Sequence, residues 1–521
     1  MAEINFSINS IFGGWSNSDF YNARGQFLSS VGIDPDMPAL DAGNKSSGYI
    51  RPTAMVKFSG ANVNSTPLFI ITNPKNALIY VILANGKIIS YDEDLANETL
   101  VGTLTGGVAR GAYYYDNYIY IARTADIARY GPLNAAVGSR ALTQDYWTAA
   151  PLSLTPLTNT TYPTINGVII PNHQFHSHIA DEKLYFTDVL ANNQGILSYI
   201  KTTKGTVEGD TNDGSDHNAL DFGYGIYPVC CETYQIDLVV GLIEGVGTSS
   251  MRGHLSFWDN SSKAFSSITS IETSETNEII TAIKNVNGTL FVFSGFITGG
   301  CRVSKLISGY TLEEVAYLPE EYPPISQGAI SHILNRVAWG SNTIEPAVAP
   351  AVFSWGSKEQ KLPMGLHAPF RGVLTGDNPY VTAVKYLSSN GKIVAPVIGE
   401  KDDAGYSLSK ITTGHTTASI IRLEVITPTN QGGKLSIKSI RIPFVQKLTA
   451  NMVVTVNLYV DGTLDSRSWT IDGSKTSYLN KLFAVIEPNI FFDNNFFIQL
   501  TITGTDLLTI SLPVTGIILQ D

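Results

Sequence analysis

The sequence predicts an all-β protein: a seven-bladed β-propeller with an extended N-terminal arm and a C-terminal β-sandwich. Three observations lead there. Short turn signals recur between apolar runs through the first four fifths of the chain, helical periodicity is nearly absent, and a separate strand pattern begins near residue 413.

The turn signals are Asn85-Gly86, Asp116-Asn117, Asp181-Glu182, Tyr234-Gln235, Asn287-Gly288, Asn335-Arg336 and Asn390-Gly391. They advance 305 residues in six steps, a mean period of about 51, which suits four-stranded propeller blades. Each tip joins runs that read as strands on their own. Ala77–Leu83 precedes Asn85-Gly86 and Lys87–Tyr91 follows it, and Asn-Gly supplies the two positive φ angles of a type I′ hairpin turn. The same grammar returns at Ile279–Ile283 with Leu290–Phe293 and at Val381–Val384 with Ile393-Val394. Steps as different as 31 and 65 residues imply insertions that vary between blades, and Tyr234-Gln235 and Asn335-Arg336 lack glycine. Six or eight blades also accommodate this spacing.

Three regions follow in order. Residues 1–48 hold Ile11-Phe12-Gly13-Gly14-Trp15 and Val31-Gly32-Ile33-Asp34-Pro35, isolated apolar anchors among breakers, and read as an extended arm packed on its own propeller or on a neighbouring subunit. Residues 49–412 read as the propeller. Residues 413–521 read as the sandwich, with alternating strands at Ser419–Ile426, Leu435–Ile442, Val453–Val460, Phe496–Ile502 and Leu507–Leu512.

Composition narrows the function. Only 15% of the 521 residues are charged, 10% are aromatic, and the formal net charge is −11 with no basic cluster longer than two residues. Phosphate backbones are bound by Lys and Arg that displace counterions, so sequence-specific nucleic-acid binding is not expected. No apolar run approaches the ~20 residues of a membrane-spanning helix. Met1-Ala2-Glu3-Ile4-Asn5 lacks the basic start and apolar core of a signal peptide, so folding in a cytoplasm is expected. Cys230, Cys231 and Cys301 have neither an even count nor CxxC spacing, which argues against disulfides and zinc. Adjacent Cys230 and Cys231 would project to opposite faces of one strand as buried, inert thiols.

Candidate chemistry is sparse. His173, His176 and His178 crowd one short run, but alternation puts only His176 and His178 on a common face. The plainer expectation is a set of polar residues hydrogen-bonded to neighbouring blades. The run Asp210-Thr211-Asn212-Asp213-Gly214-Ser215-Asp216 superficially resembles a calcium loop, yet glycine stands fifth where an EF-hand needs an oxygen ligand. Asp210, Asn212, Asp213 and Asp216 are weak candidates for one hard cation; the favoured expectation is a solvated insertion loop, with no resident metal or cofactor. Signatures of serine hydrolases, P-loops, zinc proteases and sialidase blades are absent from the sequence, so no catalytic residue is assigned. The acidic pairs Glu313-Glu314 and Glu320-Glu321 read as surface charge.

A family resemblance adds to this. Ile11-Phe12-Gly13-Gly14-Trp15 and Val31-Gly32-Ile33-Asp34, followed by Pro67-Leu68-Phe69-Ile70-Ile71-Thr72, resemble the propeller-bearing structural proteins of tailed-bacteriophage virions. Lys438-Ser439-Ile440-Arg441-Ile442-Pro443-Phe444 through Leu458-Tyr459-Val460-Asp461-Gly462 is similar to the terminal β domain of such proteins. The resemblance implies a non-enzymatic tail component, nozzle-like or at the tail tip, whose nozzle form carries a propeller on a tube-forming β scaffold. It further implies a homo-oligomer, a hexameric ring if a nozzle, in contact with other phage tail proteins and residing in the virion tail. An acidic lumen would then let DNA slide past. The alternative is a receptor-binding tail protein recognising a host surface glycan or protein, in which Trp147, Trp258, Trp339 or Trp355 would stack on sugars if exposed, although buried blade packing is the plainer expectation for most of them. A polysaccharide-acting enzyme is a further alternative that no residue pattern favours.

Overall fold

The short-period turns and β-branched runs fold, in the computed structural model, into seven four-stranded antiparallel sheets and two five-stranded ones. The structure describes most of residues 49–148, 174–200, 216–318 and 418–520, together with 2–9, 11, 14–15, 26–31, 33, 164–165, 168–169 and the strands of the last two blades. Every statement below concerns these residues.

Each four-stranded sheet is a blade, and in the first six the strands follow chain order from one edge to the other. The first strands of the seven blades are Pro67–Thr72, Gly111–Tyr115, Phe175–His178, Ile226–Tyr234, Glu278–Val286, Ile330–Ile333 and Tyr380–Ser389. The seventh blade is completed from the other end of the propeller: Thr53–Phe58 pairs with Gly405–Thr413 as its fourth strand. Leu408 of blade 7 then packs with Val63, Ile70, Val81 and Ile89 of blade 1, so the ring closes through apolar side chains.

Strand pairs obey the turn chemistry with one change of register. Asp116-Asn117 and Asn287-Gly288 join first to second strands with both residues at positive φ, +42° and +65°, then +48° and +84°. Tyr234 is the last paired residue of its strand, so that turn lies at Gln235-Ile236. Asn85-Gly86, however, joins the second and third strands of blade 1, whose first connection is the longer stretch 73–78, and only Gly86 is at positive φ, +83°, so the expected type I′ pair of positive φ angles is not formed there. This shift makes the first step only 31 residues long while leaving one tip in each blade. Asp181-Glu182, Asn335 and Asn390-Gly391 lie outside the described residues.

Inner blade strands are buried on both faces, whereas an outer strand such as Thr99–Thr103 is largely exposed. Ile79–Leu83 is buried at every position, so it reads as a continuous apolar run without alternation. Cys230 and Cys231 illustrate the two faces: the first joins the core shared with blade 5, the second the core shared with blade 3. All three cysteines are free and buried, and burial pushes their thiols far above the ordinary range.

The N-terminal segment corrects the expectation of an arm laid on the propeller or on a neighbouring subunit. Ala2–Ile8 pairs with Val514–Gln520, and Ser29–Val31 pairs with Ser419–Arg422, so both are strands of the sandwich. The cause is the core: Phe6, Ile8, Phe27 and Ile33 sit in the same apolar cluster as Ile440, Val456 and Ile518. Both chain ends thus belong to one domain, into which the propeller is inserted. Its two sheets run Ala2–Ile8, Val514–Gln520, Leu435–Pro443, Phe483–Ile486, and Thr463–Asp472, Met452–Val460, Phe496–Gly504, Ser419–Arg422, Ser29–Val31, with Ile490–Phe492 also on Leu435–Pro443. Here alternation is clean: Met452, Val454, Val456 and Leu458 face the core. In Leu435–Pro443 a bulge between Ile437 and Ser439 resets the phase, so Leu435, Ile437, Ile440 and Ile442 all point inward.

Candidate functional site

The principal polar constellation lies on the first strands of successive blades. The last paired rungs of the first hairpins are Tyr115 with Tyr118, His178 with Lys183, Tyr234 with Asp237, and Val286 with Thr289. Two residues earlier, on the same face of each strand, stand Tyr113, His176, Glu232 and Lys284. The equivalent position is Ser331 in blade 6, before the rung Ile333–Arg336, and Ile70 in blade 1. Blades 2 to 6 therefore place polar residues at one level of neighbouring first strands.

These side chains close on one another. Lys284 Nζ lies 2.9 Å from Glu232 Oε2, and His176 Nδ1 lies 3.2 Å from Glu232 Oε1. His176 Nε2 is 2.6 Å from Thr233 Oγ1, and the Asn285 side-chain amide donates to the Thr233 carbonyl at 2.7 Å. Tyr113 packs edge-on against His176 and shares a 3.0 Å hydrogen bond with Ser177. Side chains of His176 and Glu232 are 9% and 7% exposed, and that of Lys284 is 23% exposed.

Electrostatics make this a lock. Burial alone would raise the Glu232 carboxyl, but the neighbouring His176 and Lys284 outweigh it and hold the group below the ordinary carboxylate range. Burial would lower Lys284, and Glu232 outweighs that in turn, leaving the ammonium above its usual range. A fixed anion beside a fixed cation is poorly suited to proton transfer near neutral pH. The pair instead ties blades 3, 4 and 5 together, at the desolvation cost common to buried ion pairs.

A second polar site opens between blades 4 and 5 as a cleft of about 350 Å³ lined by Glu272, Glu278, Ser294, Arg302 and Glu314. Arg302 reaches Glu275, Glu278 and Glu314 at 2.6, 2.7 and 2.9 Å, and Arg252 reaches Glu272 at 2.9 Å. Each of these carboxylates has a cationic partner.

The sequence candidates are distributed otherwise. Asp210, Asn212 and Asp213 lie outside the described residues, while Asp216 opens the fourth strand of blade 3, where its backbone pairs with Tyr199. His173 is outside the described residues, and His178 pairs through its backbone with Lys183. Both His176 ring nitrogens face protein oxygens, as the hydrogen-bonding expectation held. Among the described residues, no group of three or more His, Cys, Asp or Glu side chains is arranged to hold a metal ion. Glu314 belongs to the cleft and Glu313 pairs with Lys305 at 3.2 Å. Trp258 and Trp339 are buried edge-on against Tyr185 and Phe293, at 6.0 and 5.6 Å between ring centres, which removes them as sugar-stacking surfaces. Sequence reasoning missed Glu232 and Lys284. The available signal was a charged residue within each of two apolar first strands, two residues before the last rung of its hairpin.

No protein-family model and no curated protein matches this chain. Among solved structures, it is similar to the Cps50 (Swd1) β-propeller domain of Myceliophteria thermophila, at 10% identity and a TM-score of 0.40 over 70% of this chain and all of that one. Streptogramin B lyase is similar at 9% identity and 0.40 over 69% of this chain and 98% of that one. The Pan2 WD40 domain of Neurospora crassa is similar at 8% and 0.42 over 70% of this chain and 97% of that one. The blade sheets, the strand that closes the seventh and the polar level between their first strands make this chain a β-propeller carried by a β-sandwich.

Proposed function

We propose that this chain is a non-enzymatic structural component of a phage virion tail, assembling as a ring around the DNA channel. The observation that carries the reading is the insertion of the propeller into a sandwich built from both chain ends. Such a chain presents a scaffold domain and a separate decoration domain, the division of labour implied by the nozzle resemblance. The net charge of −11 supports passage of a polyanion without adhesion. The internally paired ionic clusters support a mechanical rather than a chemical role.

In this reading the sandwich makes the contacts between copies and the propellers lie outside them. No helix among the described residues is long and apolar enough to cross a membrane, so membrane contact by this route forms no part of the reading. Labelling purified particles with an antibody to the propeller tests it. Label confined to the tail supports the assignment, whereas label on the capsid, or particles lacking the chain, overturns it. A lumen lined by Lys and Arg in the assembled ring would contradict the account of DNA passage.

A further inference from the structure

Arg110 stands immediately ahead of Gly111–Tyr115, the first strand of blade 2, and it is only 5% exposed. Its Nε is enclosed, and among the described residues its guanidinium has neither a hydrogen-bond nor an ion-pair partner. Burial pulls the group below the usual arginine range, and no carboxylate opposes that shift.

Other arginines of the propeller are engaged. Arg123, 2% exposed, donates through Nη1 to the Thr105 carbonyl and to Gln144 Oε1 at 3.0 Å, and through Nη2 to the Gln144 carbonyl at 2.8 Å. Arg129 lies over the rings of Tyr118 and Tyr146 at 4.1 and 3.7 Å, and Arg302 holds three carboxylates. A guanidinium stays protonated in proteins, so Arg110 cannot escape burial by losing its charge. Left unpaired, a buried cation is among the costliest groups a fold can hold.

The backbone fixes where that charge stands. The Arg110 N–H donates to the Ala122 carbonyl at 2.8 Å and Gly111 pairs with Ala122, so continuing the register sets Arg110 beside Arg123. Cross-strand neighbours share a face, and two arginines therefore project from one face at this end of the blade. Ala112 and Tyr114, further along that face, pack on the apolar core between blades 1 and 2. Acidic positions of the blade lie elsewhere. Asp116 is at the hairpin tip, ~20 Å along the first strand, and the backbones of Asp126 and Asp145 are on the third and fourth strands, at least ~10 Å across the sheet. First strands of blades 1, 2 and 3 are neighbours, so Arg110 stands at the mouth of the propeller axis opposite the hairpin tips.

We infer that Arg110 anchors a binding site for a small oxyanion, a phosphate or carboxylate group held at this mouth between blades 1 and 2. With Nε enclosed, the two Nη nitrogens are the end presented to a ligand, and their parallel donors match either group. Arg123 adds positive potential from the neighbouring strand. The site stands independently of the proposed tail role.

The test is thermal unfolding of the full chain at constant ionic strength, with chloride replaced by inorganic phosphate in one series and by acetate in another. A bound anion stabilises the folded state, by roughly 2 °C at ten times its dissociation constant. Wild type is expected to show that rise with at least one of the two, and the one that acts names the group. Arg110→Met abolishes the rise while unfolding in chloride at or above the wild-type temperature, because no internal partner is lost. Arg110→Lys keeps the charge without the fork and weakens binding roughly tenfold. General salt effects act on all three chains alike, so the difference between them reads the site. A wild type that answers neither anion, or an Arg110→Met chain that answers as wild type does, overturns the inference. So does an Arg110→Met chain that unfolds far below wild type in chloride, since that reveals an internal counter-ion.

Discussion

The propeller and the sandwich solve the same burial problem in opposite ways. In the sandwich one continuous core joins strands from residues 2–8 to 514–520, and each strand shows one face to it. In the propeller the apolar residues divide into separate cores between blades, and strands such as Ile79–Leu83 are buried on both faces. The sandwich therefore depends on its most distant residues, whereas the propeller depends on local hairpins, one closing strand and ionic ties between neighbours. Breaking the two should look different.

The largest effect is expected from removing residues 1–8. Phe6 and Ile8 leave the sandwich core together, and truncating one such side chain costs about 2–5 kcal/mol. Hydrogen exchange read by mass spectrometry should show the sandwich strands opening while blades 1 to 5 keep their protection. Equal loss in both domains would show that they form one cooperative unit.

Glu232→Ala sharpens the comparison from the other side. It strands Lys284 in a largely buried position beside His176, at about 3–5 kcal/mol. Exchange should rise in blades 3 to 5 alone, and adding Lys284→Met should recover part of the loss. The pH dependence follows from the same pair. Glu232 is held below its usual 4.5, so its contribution is complete above that pH and is lost as pH falls through the lowered value. Lys284 is held above its usual 10.5, so its contribution is complete below that pH and is lost as pH rises through the raised value. Propeller unfolding followed across pH should weaken at both extremes, and Glu232→Gln should flatten the acid limb.

Leu408→Ala is a test of ring closure. Leu408 is fully buried where blade 7 meets blade 1, and its truncation should cost about 2–4 kcal/mol with exchange rising first in those two blades. Uniform loss around the ring would mean that the closing blade is no weaker than the others.

How much of this was legible in sequence depended on whether a residue acts through its neighbours in the chain. Asp116-Asn117 and Asn287-Gly288 announce hairpins because two positive φ angles demand those residue types. The alternation of Met452–Val460 announces a half-buried strand for the same local reason. Asn85-Gly86 is as good a turn signal, yet it sits one strand further along its blade, because turn chemistry does not specify which pair of strands is joined. The pairing of Ala2–Ile8 with Val514–Gln520 was not legible, since nothing local in Ile4 or Phe6 names a partner some 500 residues away. Glu232, His176 and Lys284 lay between these cases. Each stands out alone, but their meeting becomes visible only when the first strands are aligned on the ends of their hairpins.

The smallest expected effect is local to the sandwich. Asp461 and Gly462 turn between two strands at φ +48° and +79°, and the Asp461 carboxylate accepts backbone N–H groups of Asp493, Asn494 and Asn495 at 2.9, 2.8 and 3.1 Å. Gly462→Ala forces a β-carbon into the left-handed region and should cost about 1 kcal/mol. Thermal unfolding of the sandwich should register it, with the propeller unmoved.

Electron cryomicroscopy of the tail reads the proposed division of labour most directly. The account predicts a closed ring on the tail axis in which sandwiches meet around the channel and propellers project outward. A ring held by propeller–propeller contacts, or single chains at fibre tips, would contradict it.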